Sequence, residues 1–457
     1  MKQAFKTIAF FFAAIVLGGA VSSCSSSDED VDLGEAKQVV NMLSEAQPIQ
    51  LTTEQQTFAN DNNSFTLNFL KTVNSVDKSG KSFVYSPLSI TYVLGMVNDA
   101  AIGKTEQELE QILGFHEGGI QAVNAYCRKL IDGLPKVDEK VTLNIANALF
   151  VNQNLATLKP QYQQDLLQYY DAKAENLDFS SPTTLGTING WAKDHTNGMI
   201  PTILDQVDPQ TVTYLLNAIY FKADWASKFD KKNTKEETFH PEYEYLMDIS
   251  SPIKVPLMHQ NVLIQYVNNG YFSAVKIPYG NGMWEMTVLL PEAESNTDFI
   301  INQLAAFGLK GIEGAFCNTT DGVATMSECR FSPYEVDLKL PRFETNSDTN
   351  QLDIHDGLVG LMQQMGINLA FDPVLAEIPN MCERPVYISM MRQKAAIKVN
   401  EEGSEAAAVT IAGMKMNSAG GSVEYPKATF HANRPFVYII SEASSGVILF
   451  VGKFTGQ

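Results

Sequence analysis

Apolar positions recur along the chain at two spacings. In "TEQELEQILGF", Thr105 to Phe115, a polar start and an acidic first turn precede Leu109, Ile112 and Leu113, and Gly114 follows. Residues three and four apart share one helical face, so this pattern predicts an amphipathic helix that stops at the glycine. Elsewhere the apolar runs are continuous. "TLNIANALFV", "VTYLLNAIYF", "FSAVKIPYG" and "MTVLLPE" are rich in β-branched and aromatic residues and predict strands. "PFVYIIS" and "GVILFVGKF" predict two buried strands joined by the short turn "EASS". Helical patterns cluster early and strand patterns late, which predicts an α+β protein around a large, mostly antiparallel sheet.

One segment fits neither pattern simply. "KVNEEGSEAAAVTIAGMKMNSAGGSVEYPKATFHANRPF", Lys398 to Phe436, opens with an acidic pair, passes through alanines and ends rich in glycine and serine. A surface helix would use Ser404 as its cap and Ala406 to Ala408 as helix formers. Such a helix needs a charged face, yet after Glu405 no charge occurs until Lys415. At a period of two, Ser404, Ala406, Ala408, Thr410, Ala412, Met414 and Met416 share one uncharged face, and Glu405 and Lys415 lie opposite. The first members of that face are small, as sliding between packed strands requires. No proline lies between Glu401 and Glu424, so every backbone donor there is free to join a ladder. "NSAGGS" is too rich in glycine and serine to hold a fold of its own. The segment reads as a strand kept outside its sheet.

The 457 residues are 45% hydrophobic, enough for one large core or two ordinary ones. A formal charge of −19 disfavours non-specific attraction to nucleic acid or anionic headgroups. In "MKQAFKTIAFFFAAIVLGGAVSSC", Lys2 and Lys6 precede an apolar run from Ile8 to Leu17, the layout of a secretory signal and too short to span a bilayer comfortably. Val21-Ser22-Ser23-Cys24 resembles a bacterial lipobox. This reading predicts a lipoprotein signal peptide over residues 1–23 and lipidation at Cys24; losing two lysines and no acid takes the mature charge from −19 to −21. Several acyl chains on one residue exceed the two signals that stable attachment needs, at about 0.8 kcal/mol per buried methylene. "SSSDEDVD" resembles the acidic tags that send some lipoproteins to the outer face, so the chain is expected on the outer membrane, exposed at the cell surface. Residues 24–50 are polar and acidic and read as a flexible tether, which leaves 51–457 as one domain. An exported compartment permits disulfides; Cys317 and Cys329 flank a loop-like "NTTDGVATMSE", where pairing stays open, and the spacing fits no zinc motif.

Catalytic signatures are missing. "IGKT", Ile102 to Thr105, hints at a phosphate loop, but the glycine needed five residues before Gly103 is Asn98. There is no G-x-S-x-G, H-E-x-x-H or C-x-x-C, and the six histidines are scattered. The chain therefore reads as a non-enzyme without metal or cofactor.

"VNEEGSEAAAVT" resembles the hinge of the inhibitory serpins, and "FHANRPFVYII" with "GVILFVGKF" resembles their carboxyl-terminal signature. "FVYSPLSI", "INGWAKDHTNGMI", "LLNAIYFKADW", "VKIPYG", "VDLKLPRFE" and "LMQQMGINLAFDP" follow in the family's order, over most of residues 55–455. The resemblance implies a monomeric serpin fold of three β-sheets and eight or nine helices with an exposed reactive-centre loop. Its partner would be a target protease, either of the serine class, chymotrypsin- or elastase-like or else trypsin-like, or a papain-like cysteine protease. The protease would form an acyl-enzyme with the loop, whereupon the freed hinge inserts into the main sheet. About fifteen residues at roughly 3.3 Å each make a strand about 50 Å long, enough to drag the enzyme to the far pole and distort it before deacylation. The active form would then be a kinetic trap.

The resemblance also assigns residues. The hinge would be Glu401, Glu402, Gly403, Ser404, Glu405, Ala406, Ala407, Ala408, Val409 and Thr410. Glu401 and Arg342 would pair at the top of the main sheet, the breach, where Trp225 packs. Ser86, Ser89 and Asn217 would form the polar cluster under the sheet's centre, the shutter, with Gln393 at the family's histidine position; an amide donates and accepts but does not titrate. Counting seventeen residues from Glu401 puts the reactive bond at Asn417–Ser418, and the sixteen-residue variant puts it at Met416–Asn417. Met416 suits a chymotrypsin- or elastase-type pocket, Lys415 a trypsin-type one, and Ser418 or Ala419 an elastase-type one. The acidic helix at Thr105 to Phe115 argues against activation by polyanions. The alternative is a non-inhibitory serpin-fold binding protein, whose hinge would place charged or bulky residues on the inserting face; this hinge has none there.

Overall fold

The computed structural model describes residues 46–116, 118–241, 252–292, 295–315, 330–404 and 425–457. Cys24, Cys317, Cys329, hinge residues Glu405 to Thr410 and the candidate reactive positions Lys415, Met416, Asn417, Ser418 and Ala419 lie outside the described residues.

The first described helix, α1 (Thr53–Val76), starts at a capping box in which Thr52 Oγ1 accepts from the Gln55 amide and the Gln55 side chain accepts from the Thr52 amide. After the short strand β1 (Phe83–Tyr85), helix α2 (Pro87–Ala100) is apolar around almost its whole circumference and lies buried in the centre of the core. The amphipathic pattern at Thr105 becomes α3 (Gly103–Leu113), which ends at Gly114 with φ of 84°, a left-handed cap that favours glycine. Helices α4 (Gly119–Gly133), α5 (Pro160–Tyr170), α6 (Thr184–His195), α7 (Thr297–Ala315) and α8 (Leu358–Gln364) bring the total among the described residues to eight.

Strands β2 (Thr142–Asn152), β3 (Lys173–Leu177), β4 (Thr213–Asp224), β10 (Phe343–Asp348) and β11 (Met391–Val399) form the first sheet in the order β10-β11-β4-β2-β3, with β12 (Gly403–Ser404) also against β4. The second sheet follows the path β1-β15-β14-β8-β7-β6-β9-β13, with β5 on β6; its further members are β5 (Lys235–Phe239), β6 (Ile253–Asn268), β7 (Phe272–Tyr279), β8 (Trp284–Pro291), β9 (Ser332–Pro341), β13 (Lys427–His431), β14 (Phe436–Glu442) and β15 (Ile448–Phe454). Pairing is antiparallel except for β11 on β4, β3 on β2 and β13 on β9. Two of the three sheets implied by the resemblance meet in β6, which pairs with β9 over Leu257–Tyr266 and with β7 over Gln265–Asn268. One sixteen-residue strand thus carries both ladders.

Alternation explains why β4 reads as a continuous apolar run. Leu215, Ile219 and Phe221 face the main core, whereas Tyr214, Leu216 and Ala218 face a second cluster with Phe150, Ile188 and Trp191 beneath α6. Phe221 joins the two sheets: its ring meets Tyr279, Trp284 and Phe450 edge-on at centroid distances of 5.6, 5.4 and 6.1 Å. Truncating such a residue removes buried area and leaves a cavity. Phe221→Ala is expected to cost about 3–5 kcal/mol, read as a lower denaturation midpoint at unchanged slope.

Candidate functional site

β11 pairs with β4 only over Met391–Lys394, against Leu215–Ala218. On its other side β11 pairs with β10 up to Val399. The chain then reverses over Asn400–Gly403, and β12 runs back antiparallel to β4, with Gly403 opposite Asp224 and Ser404 opposite Ala223. The sheet is therefore zipped between β4 and β11 at one end and holds, at the other, the first two residues of a new strand.

Two hinge residues are fitted to that position. Ser404 is 1% exposed, and its Oγ lies 3.1 Å from the Tyr279 hydroxyl. Burial pushes that tyrosine's pKa well above its ordinary value, so the contact joins two neutral hydroxyls. Gly403 has φ of 148°, and a Cβ there would stand 2.1 Å from the Ala223 carbonyl oxygen. No residue but glycine lets the chain approach β4 this closely.

Trp225 is buried, stacks on Tyr279 at 4.3 Å, and donates from Nε1 to the Asn400 carbonyl at 2.9 Å. Its backbone N–H donates to Glu402 O at 2.8 Å, and that of Phe229 donates to Glu401 O at 2.9 Å. Glu401 and Arg342 do meet, but at 3.4 Å and with the arginine 51% exposed. The short bond to the buried Glu401 carboxylate comes from Thr234 Oγ1 at 2.8 Å. Glu402 is held from both sides, by Lys228 at 3.1 Å and Lys231 at 3.0 Å, while Lys228 also reaches Asp224 at 2.9 Å. Hydrogen bonds from Lys231 and Lys228 keep the Glu402 carboxyl below the usual carboxylate range.

Lower in the sheet, Ser86, Ser89, Asn217 and Gln393 are all buried and lie together. The Ser86 amide donates to Gln393 Oε1 at 3.0 Å, and Gln393 Nε2 donates to Ser86 O at 2.9 Å and Asn217 Oδ1 at 3.2 Å. Asn217 Nδ2 continues the chain to Asn147 Oδ1 at 2.9 Å, and Ser86 Oγ donates to Ser89 Oγ at 3.2 Å. Gln393 sits directly opposite Asn217 in the β11–β4 register, so this network straddles the zipped part of the sheet. Tyr279, Thr234, Lys228, Lys231 and Asn147 escaped the sequence reading; apart from the position of Tyr279 in "VKIPYG", nothing local marks them. Among the described residues no group of His, Cys, Asp or Glu is arranged to hold a metal ion, and Cys127 and Cys382 are free and buried.

A family profile described as "Serpin (serine protease inhibitor)" matches residues 60–456. Serpin B11 of Homo sapiens is 29% identical over 411 residues, covering 85% of this chain and 96% of the relative. A serpin-like protein of Thermococcus kodakarensis is 28% identical, covering 86% of this chain and 84% of the relative. Among solved structures, the thermophilic serpin tengpin in its native state superposes with a TM-score of 0.73 at 25% identity, over 90% of this chain and 96% of its own. Thyroxine-binding globulin with thyroxine shares the fold at a TM-score of 0.68 and 22% identity, over 88% and 98%.

Replacing Gln393 with leucine would strip partners from the Ser86 amide, the Ser86 carbonyl and Asn217 Oδ1. Each buried polar group left unpaired costs about 1–3 kcal/mol. Gln393→Leu should therefore lower the melting temperature well beyond an exposed substitution; an unchanged value would show that the network holds nothing.

Proposed function

The chain belongs to the serpin family, and from that premise we propose that it inhibits a protease as a suicide substrate. Serpins are generally protease inhibitors. The observation that carries the reading is the seated pair Gly403–Ser404 at the mouth of the unzipped region between β4 and β11.

In this scheme the target's nucleophile adds to the carbonyl carbon of the reactive bond, Asn417–Ser418 or a neighbour at Met416 or Lys415. The peptide C–N bond breaks, the new amine leaves with a proton, and an acyl-enzyme remains. The hinge then extends β12 residue by residue, and each inserted residue gains ladder bonds to β4 and β11. Small, uncharged Ala406, Ala408 and Thr410 follow Ser404 into the interior at no cost in unpaired charge. Trp225, Glu401 and Arg342 mark where the sheet opens first. Ser86, Ser89, Asn217 and Gln393 mark where it opens last, because insertion there separates the Gln393–Asn217 pair. The enzyme is carried away from the loop end, and its distorted active site no longer hydrolyses the ester.

The lipobox at Cys24 and the acidic segment after it support a further proposal: the inhibitor is an exported lipoprotein of the outer membrane, displayed at the cell surface. Palmitate labelling that persists in Cys24→Ala would overturn that placement.

To test inhibition, the soluble domain is incubated with elastase, chymotrypsin, trypsin, subtilisin and papain. A detergent-stable adduct, a released peptide starting at or beside Ser418, and a higher melting temperature after cleavage are expected. Cleavage with neither adduct nor gain in stability would favour the binding-protein alternative. Ser404→Arg should be cleaved without forming the adduct, since a guanidinium cannot be buried unpaired beside Tyr279; an adduct in that variant contradicts the scheme.

A further inference from the structure

The bend that carries the hinge is a hairpin with a two-residue turn, Glu401–Glu402, closed by reciprocal bonds from Asn400 N to Gly403 O at 2.8 Å and from Gly403 N to Asn400 O at 3.2 Å. The commonest two-residue hairpin turns are the primed types, whose positive φ matches the twist of the flanking strands. Neither Glu401 nor Glu402 is among the described residues with positive φ. This turn therefore lacks the twist-matched backbone geometry, and side chains add to what holds it.

Three ties do so. Asn400 Oδ1 accepts from the Glu402 and Gly403 amides at 2.9 and 3.2 Å. Thr234 holds Glu401. The Glu402 carboxylate offers one oxygen to Lys228 and the other to Lys231. Lys228 is anchored in turn by Asp224, the residue opposite Gly403 in the ladder. This last tie fastens the turn to the end of β4, the strand along which insertion would proceed. By comparison the Glu401–Arg342 pair is longer and uses one carboxylate oxygen.

We infer that Glu402, gripped by Lys228 and Lys231, is the positioning residue that keeps the turn folded, so that strand insertion starts from a hairpin already closed. The inference rests on the inhibitory reading for its consequence and on this geometry for its cause. Closing a turn and making the first cross-strand pair spend chain entropy before later pairs return it. A turn held closed has met that cost before the protease arrives, which favours insertion in its race with deacylation. The two lysines are unequal partners. Lys228 is 13% exposed and Lys231 68%, so solvent and salt screen the second far more.

The experiment compares wild type with Glu402→Gln, Lys228→Met and Lys231→Met. Insertion is timed by stopped-flow tryptophan emission with saturating protease from the panel that cuts the loop. Backbone exchange at Glu402 and Gly403 is measured in the uncleaved protein. A charge-assisted bond in a half-buried setting is strong enough for about a tenfold change in rate. Glu402→Gln and Lys228→Met should insert about tenfold more slowly, and Lys231→Met within about twofold of wild type. Salt should slow wild type by no more than the loss of Lys231 does, about twofold, while leaving Glu402→Gln unmoved, a response that a purely structural role would not produce. Insertion of Glu402→Gln as fast as wild type, or unchanged exchange at the turn, overturns the inference. Wild type that is cleaved but never inserts would sink the inhibitory reading instead, and the exchange data would still decide whether Glu402 holds the turn.

Discussion

Four residue pairs between β11 and β4 are the constraint on which the molecule turns. They are parallel neighbours that make only part of a ladder, and on the rest of β4 only Ala223 and Asp224 have a partner on this side, in Ser404 and Gly403. A sheet that is satisfied at one end and incomplete at the other has an uphill and a downhill direction. Unpaired ladder groups favour adding a strand, since buried donors and acceptors without partners are costly. The zipped pairs and the amide chain through Gln393 and Asn217 resist it.

Both faces of β4 are buried over Thr213–Phe221, and that limits what can enter. One face rests on the main core through Leu215, Ile219 and Phe221, the other on α6 through Tyr214 and Leu216. A strand joining such a sheet cannot place large or charged side chains on the face that meets the packed core. Ser404 shows the environment concretely: it is closed in by Tyr279, whose ring is itself covered by Trp225. Trp225 of the same pair also carries the turn above it, donating from its indole to the Asn400 carbonyl and from its backbone N–H to the Glu402 carbonyl. Packing of the insertion site and geometry of the bend are thus set by one stack of rings.

Much of the fold was legible beforehand. The apolar runs became β2, β4, β7, β8, β14 and β15, and the amphipathic pattern became α3, displaced by two residues at its start because Gly103 and Lys104 join the first turn. Ser86, Ser89, Asn217 and Gln393, hundreds of residues apart in places, were expected together and are hydrogen-bonded together. What was not legible has a common character. Thr234, Lys228 and Lys231 are ordinary polar residues whose partners in the turn lie more than 160 residues away, and no local periodicity marks a side chain whose role depends on which strand folds over it. The emphasis placed on Glu401 with Arg342 was likewise a matter of pairing by position, whereas the shorter contacts belong to Thr234 and to Glu402.

By itself the chain's order of residues determined which segments are strands and helices, and that a small, uncharged face follows Ser404, because alternation and side-chain size are local properties. Only the tertiary structure decided that Gly403 and Ser404 are already seated against β4, that β11 and β4 stop pairing at Lys394 and Ala218, and which charges grip the turn. Those facts depend on distances between residues far apart in sequence, and such distances are set by how the two sheets pack around Phe221 and Tyr279 rather than by any pattern along the chain.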